Sequence, residues 1–380
     1  MAIRLALEFD SRTLESKKRE RLQIAKHMRV CLEVNDGHET VLSVASSEPI
    51  LAEAARCFMS WPGFNLPESL LHELQTPGLN KGSQGELIGL VLLLLAGDKA
   101  ATAVDARVFR VLGFFSNLLN NNDYAKLLEA RPSRQRNTES DGETTFGETF
   151  AKSKIFFNHF IKIHDSRMVN RRYLWMMIAR GAAILCPNNQ VGIDFLVPFT
   201  YHDDKLGRRN VSAILIHVKN DRQFSTTPRR WLFDGMNPYS VGVFNHSDEE
   251  PLPVIRMVFA LSSTKSGVTI MEPEETRYRE KGKGNKTEKL PSYTSYDIWC
   301  AGALAKTFAV INETEEKTYE QLLKVCSLLP ESKLPKAMDP WARFQPTTGE
   351  NTDEETYADR DEYEYDDVES EEEDDDIEML

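Results

Sequence analysis

Three residues with reactive side chains lie at the ends of two short alternating runs, residues 193–201 and 211–219. Asp194 begins the first run, and His217 and Lys219 end the second. A carboxylate binds a hard divalent cation through oxygen. The cation activates water and neutralises a phosphate, while a lysine stabilises the charge of the transition state. These residue types therefore indicate metal-dependent hydrolysis of a phosphodiester, provided that folding brings them together.

An antiparallel hairpin would place these three side chains on one surface. Residues 203–207 contain the Asp and Gly residues typical of a turn. A turn centred between Leu206 and Gly207 puts Asp194 opposite Lys219, and Leu196 opposite His217. Asp194, His217 and Lys219 then share a face, since opposed residues and residues two apart point the same way. The other face is apolar: it carries Ile193, Phe195, Val197, Phe199, Ile214, Ile216 and Val218.

The residues around this hairpin resemble a known nuclease pattern. Gly192-Ile193-Asp194 followed by Ile216-His217-Val218-Lys219-Asn220 resembles the PD-(D/E)xK signature of restriction-endonuclease-like nucleases. The surrounding residues are similar to a set of uncharacterised fungal proteins and to nuclease domains attached to Crinkler-type effectors, over residues 150–310. The phrases that match are Phe157-Asn158-His159-Phe160, Ala179-Arg180-Gly181-Ala182-Ala183, residues 211–220 and Trp299-Cys300-Ala301-Gly302. The resemblance implies a nucleic-acid substrate, Mg or Mn as cofactor, Asp194 and His217 as metal ligands, and Lys219 as a catalytic residue.

His217 departs from this pattern, which has Glu or Gln at that position. A neutral imidazole suits zinc or manganese better than magnesium and adds no negative charge. Many such enzymes have a further helix acid, but residues 167–186 contain none, which leaves Glu148 and Asp165 as nearby candidates. The site is therefore either weakened or inactive. A purely structural interpretation also stands, in which Asp194 and Lys219 form a cross-strand ion pair and His217 is a hydrogen-bonded structural residue.

Basic residues around the hairpin are candidates for nucleic-acid contacts. Arg180 would orient Asp194 or bind a phosphate, or it is a structural arginine that extends to solvent. Six basic residues in or after the turn are positioned to contact the phosphates of a nucleic-acid backbone. An exposed, solvated loop explains their charges equally well. They are Lys205, Arg208, Arg209, Arg222, Arg229 and Arg230. The aromatic residues Trp175, Trp231 and Trp299 are predicted to lie in the core.

The order of elements predicts an α/β protein, with α+β as the alternative. Residues 1–130 are predicted to be mainly helical and residues 131–148 to be a linker. Residues 149–345 would form the nuclease-like domain, with a restriction-endonuclease-like core. In that domain helices are predicted at 149–163, 167–186 and 319–329, and strands at 193–201, 211–219 and 254–263.

The charge of the chain is unevenly distributed. Residues 349–380 hold eighteen Asp and Glu against Arg360, a net of −17 within a total of −13. We expect this acidic tail to be disordered. It either keeps the protein in solution or competes with nucleic acid for residues 151–348, which carry +7.

Several protein classes find no support in the sequence. Five scattered cysteines without a CxxC pair indicate neither a disulfide framework nor a zinc site. The first residues lack a signal-peptide pattern, and the longest apolar run, residues 87–96, falls short of the about 20 residues that a membrane span needs. We expect an intracellular protein, cytoplasmic or nuclear, without a membrane partner or a small-molecule cofactor.

Two functions follow as expectations. The first is a nucleic-acid-binding, metal-dependent nuclease-like protein, whose site is active or degenerate. The alternative is a catalytically inactive interaction module that binds a protein partner through its helical half.

Overall fold

A nine-stranded mixed sheet positions the predicted site. The computed structural model describes residues 2–6, 29–34, 41–45, 48–73, 81–136, 144–187, 190–201, 207–245, 251–273 and 292–324. Lys205 and the acidic tail, residues 349–380, lie outside these ranges. The described residues belong to one compact unit, Met1–Leu328.

The strands fall into a hairpin and the large sheet. The hairpin pairs β1 (Arg29–Val34) with β2 (Val41–Ala45). The sheet strands are β3 (Phe109–Arg110), β4 (Lys154–Ile155), β5 (His159–Lys162), β6 (Ala182–Leu185), β7 (Phe195–Thr200), β8 (Val211–Lys219), β9 (Val254–Ala260), β10 (Gly267–Ile270) and β11 (Ser295–Ala301). Their order is β10-β11-β9-β8-β7-β4-β3, with β6 also paired to β7 and β5 to β6. Strands β8, β9 and β11 are parallel, and β7 is antiparallel to both β6 and β8.

The helices cover both faces of this sheet. They are α1 (Glu48–Met59), α2 (Leu66–Glu73), α3 (Lys81–Ala103), α4 (Val111–Leu118), α5 (Asn121–Leu128), α6 (Phe146–Thr149), α7 (Arg171–Arg180), α8 (Arg230–Asp234) and α9 (Glu316–Lys324). Single 3-10 turns lie at Ala2–Leu5, Ser166–Met168 and Arg208–Asn210. In the part of the chain that the structure describes, no helix combines the length and the apolar character needed to cross a membrane. The mixed α/β class predicted from the sequence is confirmed.

Two apolar cores lie on opposite faces of the sheet. Ile214 and Ile216 of β8 join the core under α3, α4 and α9, while Ala213 and Leu215 join the core under α7 and the segment after β8. A strand buried on both faces is typical of parallel sheets flanked by helices. Helix α3 and strands β7–β9 contribute to the same core, so the two sides of the linker predicted at 131–148 share it. Phe146, inside that predicted linker, is completely buried.

Two helix predictions differ from the structure. The helix predicted at 149–163 is wrong, because this stretch forms β4 and β5, which pair with the distant strands β7 and β6. The helix predicted at 167–186 is shorter: Asn170 caps α7, and Gly181, with φ of +68°, ends it. A left-handed residue stops a helix and favours glycine. Residues after Gly181 then form β6.

Candidate functional site

The antiparallel pair β7–β8 brings the predicted residues to one edge of the sheet. Asp194 lies directly before β7, where its backbone N–H donates to Ile216 O at 2.8 Å and its carbonyl accepts from Cys186 N at 2.9 Å. Phe195 pairs with Ile216, and Leu196 with Leu215. The predicted register, which set Leu196 opposite His217, is therefore wrong by two residues. Because the displacement is even, the side chains from Asp194 onward keep their predicted faces, whereas Ile193, which precedes the strand, joins the opposite core with Leu196 and Leu215.

Asp194 and His217 lie side by side on this face. His217 Nδ1 is 3.3 Å from Asp194 Oδ2, and the side chains are 13% and 20% exposed. The same carboxylate oxygen accepts a hydrogen bond from Val218 N at 2.5 Å. His217 Nδ1 is within ion-pair distance of Asp194 but makes no hydrogen bond with it, and among the described residues this buried atom has no hydrogen-bond partner. The predicted cross-strand neighbour of Asp194 was Lys219, and the structure puts His217 there instead.

Lys219 ends β8 two residues further on. Its ammonium lies 5.7 Å from the centre of the Phe224 ring, a cation–π distance. Its carbonyl accepts from Leu261 N at 3.0 Å, which ties the end of β8 to the end of β9. Lys219 thus occupies the same face and the same edge as Asp194 and His217.

A carboxylate that the sequence analysis did not assign to the site also lies at this edge. Burial raises the pKa of the Cys186 thiol, and the negative charges of Asp194 and Glu86 raise it further. The negative charge of Glu86 therefore acts at the end of the sheet where Cys186 and Asp194 lie, although α3 packs on the opposite face. Glu86 belongs to α3, where its neighbour Gly85 packs directly on the end of β8: a Cβ at Gly85 would lie 2.6 Å from Asn220 Cβ. The sequence analysis did not consider Glu86 as a site residue, and the glycine beside it was the available indication of a close approach.

The two acids named as nearby candidates are engaged locally. Glu148 closes a capping box with Thr145 at the start of α6, and these hydrogen bonds hold its pKa below the usual range. Asp165 pairs with Arg167 at 2.8 Å, and this hydrogen bond lowers its pKa. Among the described side chains, no group of three or more His, Cys, Asp or Glu is placed to hold a metal ion. The site therefore offers a pair of ligands, Asp194 and His217.

The predicted nucleic-acid residues are spread over the surface. Arg180 pairs with Glu48 at the end of α7. Arg180 precedes β6, while Cys186, whose N–H donates to the Asp194 carbonyl, follows it, so Arg180 and Asp194 lie at opposite ends of β6. Arg222 is exposed. A hydrogen bond from Lys324 lowers the pKa of Glu320 in α9, and the positive charge of Arg222 lowers it further. Arg209 is exposed in a 3-10 turn, while the side chain of Arg208, like Lys205, is outside the described part.

A glycine turn fixes the approach to Asp194. Gly192 has φ of +84°, and a Cβ there would lie 1.9 Å from the carbonyl oxygen of Gly235. Gly235 directly follows α8, so the backbone before Asp194 rests on the end of that helix. Only glycine allows two backbones this close. The close contact with Gly235 therefore explains why the first position of the Gly192-Ile193-Asp194 motif is a glycine.

Comparison with known proteins identifies a family without an assigned activity. The family described as a domain of unknown function, DUF8736, matches residues 14–241, which is more than half of the chain. The chain belongs to this family. No curated protein and no solved structure matches it. The matched range includes Asp194, His217, Lys219 and Glu86.

Proposed function

We propose that this DUF8736 protein binds a divalent cation between Asp194 and His217 and acts on a nucleic-acid phosphodiester. The observation that carries the proposal is the pair of atoms His217 Nδ1 and Asp194 Oδ2, 3.3 Å apart. Metal–ligand bonds of 2.0–2.2 Å at tetrahedral or octahedral angles set neighbouring ligand atoms about 3.0–3.5 Å apart. The pair has this separation without any rearrangement.

The hydrogen bonding of the pair supports the same assignment. His217 Nδ1 is buried and makes no hydrogen bond to the described residues, so its closest polar neighbour is the carboxylate with which it would share the cation. Asp194 Oδ2 is oriented by Val218 N, and an outer hydrogen bond of this kind is common for ligating carboxylates. A nitrogen and an oxygen ligand favour zinc or manganese over magnesium.

The remaining residues have roles that follow from their positions. A bound cation would lower the pKa of water and polarise the phosphate. Lys219, held beside the Phe224 ring, supplies a positive charge to a phosphate oxygen. Glu86 adds a negative charge near Asp194, which favours a cation over a neutral ligand. We infer a restriction-endonuclease-like core for β6–β8 because Asp194 enters one strand and Lys219 leaves its antiparallel neighbour at the same edge.

Metal titration of the purified chain tests this proposal. Mn²⁺ or Zn²⁺ should raise the melting temperature of the wild type, since a ligand at about 100 times its Kd stabilises by about 2.7 kcal/mol. Asp194→Asn should abolish the shift. Asp165→Asn, at a partly exposed acid that pairs with Arg167, is the matched control and should keep it. Equal shifts in wild type and Asp194→Asn would remove the cation from this site.

Two further variants separate binding from chemistry. Lys219→Ala should retain the metal shift and lose cleavage of DNA or RNA, single- or double-stranded. His217→Glu should strengthen cation binding by restoring a hard anionic ligand. If His217 is only structural, the same change instead costs about 1–3 kcal/mol without a metal response.

A second candidate function rests on a different surface. Three large apolar side chains on or just after α1 are exposed: Ile50 by 70%, Phe58 by 55% and Trp61 by 63%. A cluster of this kind is typical of a protein-binding surface, which favours the inactive interaction module. The exposed thiol of Cys57 on the same helix offers a test. Cross-links from Cys57 that vanish in Trp61→Asp and in Cys57→Ser would support this function, and their absence in the wild type would refute it.

A further inference from the structure

Trp231 is an exposed aromatic side chain on a helix whose other apolar residues are buried. Its neighbours Leu232 and Phe233 in α8 are 4% and 3% exposed and belong to the core, whereas Trp231 is 39% exposed. The sequence-based prediction that Trp231 lies in the core is therefore wrong, while Trp299 is completely buried as predicted. Helix α8 is held in place by its neighbours, so the indole is presented on a fixed support.

Helix α8 places this indole beside the Asp194 site. Gly235 N donates to Trp231 O at 3.3 Å, so the two residues lie one helical turn apart, about 6 Å along the axis. Gly235 in turn touches Gly192, two residues before Asp194. Val191, next to Gly192, is 55% exposed. Trp231 and Val191 are thus exposed apolar residues on the two segments that meet at this backbone contact, two residues before Asp194.

The charges around Trp231 suit a polyanion. Arg229 and Arg230 directly precede it and are exposed, and Arg222 is exposed at the start of the same segment. Asp221 and the exposed Asp234 are the acids of this segment, and residues 151–348 carry +7 overall. Phosphates can therefore lie along the arginines while an adjacent base reaches the indole.

We propose that Trp231, directly preceded by Arg229 and Arg230, is a stacking platform for single-stranded nucleic acid entering the Asp194 site. An aromatic ring beside cations binds single strands with little sequence preference, because every base has a π-face. In a duplex the bases are stacked on one another and leave no face for the ring. The inference rests on the proposed function, since it names the substrate class of that site.

Binding is measured without cleavage, so that this inference fails or holds independently of the metal chemistry. A fluorescein-labelled single-stranded DNA 20-mer is titrated in EDTA and followed by anisotropy, with the same sequence as duplex in parallel. The wild type should bind the single strand more tightly than the duplex. Trp231→Ala should weaken single-strand binding by about 5- to 150-fold, the value of one stacked base, and leave duplex binding unchanged.

Two variants control for folding and for exposed indoles in general. Trp231→Phe keeps a ring and should restore most of the affinity. Trp61→Ala removes a more exposed indole from α1 and should bind like the wild type. Arg229→Ala should weaken binding mainly at low salt and reduce the dependence on salt by about one phosphate contact.

These measurements distinguish failure of the stacking platform from failure of the metal site. Equal single-strand affinity of wild type and Trp231→Ala, an equal loss in Trp61→Ala, or a preference for duplex would each overturn the platform, even if Asp194 proves to bind metal. Loss of binding in Trp231→Ala with recovery in Trp231→Phe would support it, even if no cleavage is ever observed.

Discussion

Adding one methyl group at Gly192 should destabilise the protein and disturb the site together. In Gly192→Ala the new Cβ would lie 1.9 Å from Gly235 O and 2.5 Å from Gly235 C. Both atoms are backbone, so no side-chain rotation can relieve the overlap. The turn before Asp194 and the end of α8 must separate by about 1 Å to restore contact distances.

The loss of stability in Gly192→Ala has two parts, and another glycine measures the first part alone. Alanine at a positive φ costs about 1–2 kcal/mol, and overpacking a close contact costs about 1–3 kcal/mol. We therefore expect Gly192→Ala to lose about 2–5 kcal/mol. Gly63 has φ of +90° with nothing within 4 Å of an added Cβ, so Gly63→Ala should show only the first part. Gly113 lies inside α4 with equally open space, and Gly113→Ala should stabilise by about 0.5–1 kcal/mol.

Urea unfolding of the three variants measures these values from the midpoint at constant m. The same samples report on function, because displacing Asp194 should also remove the metal-dependent rise in melting temperature. A Gly192→Ala protein that is no less stable than Gly63→Ala would refute the backbone contact on which the position of Asp194 depends.

Three further outcomes follow from other contacts. Arg256→Met should cost about 3–5 kcal/mol in urea unfolding, because it leaves the buried Asp297 carboxylate without its pair. Replacing both residues of that pair by apolar ones should cost less. Burial raises the pKa of Glu48, but hydrogen bonds and charges from His159 and Arg180 outweigh it and lower the pKa below 4.5. The difference in unfolding free energy between the wild type and Glu48→Gln should therefore be largest above pH 4.5 and should vanish as the pH falls through the lowered pKa of Glu48. Melting curves across pH 3–7 would measure this difference. Asn120→Ala removes the side-chain cap of α5, which accepts from Asp123 N at 3.0 Å, and should lower the melting temperature by the equivalent of about 1 kcal/mol.

The β7–β8 pair shows how much local pattern can predict. Alternation of apolar residues identified both strands and the faces of their side chains, because a strand has a period of two; it failed for Ile193, which lies before β7. The register depended on the assumed turn centre between Leu206 and Gly207, and pattern alone does not locate such a centre. The error of two residues changed the neighbour of Asp194 from Lys219 to His217.

Contacts between distant segments account for what the sequence analysis missed. Strand β5 pairs in parallel with β6 across the intervening α7, so the apolar residues of 149–163 were mistaken for a helix. The charge of Glu86 acts at this end of the sheet because Gly85 lets α3 rest on the end of β8. Neither fact is visible in a single segment. Asp194 and His217 were found because their two strands are neighbours in the chain.

The boundary of the family match is not the boundary of the folded sheet. The match ends at residue 241, before β9 and β11. Strand β8 nevertheless pairs in parallel with β9 from Ile214 to Lys219, opposite Ile255 to Ala260. A strand that is buried on both faces and carries the site at its end would otherwise present a long unpaired edge, which proteins avoid. The segment after residue 241 therefore completes the sheet that holds His217 and Lys219, and the site depends on residues from both sides of the family boundary.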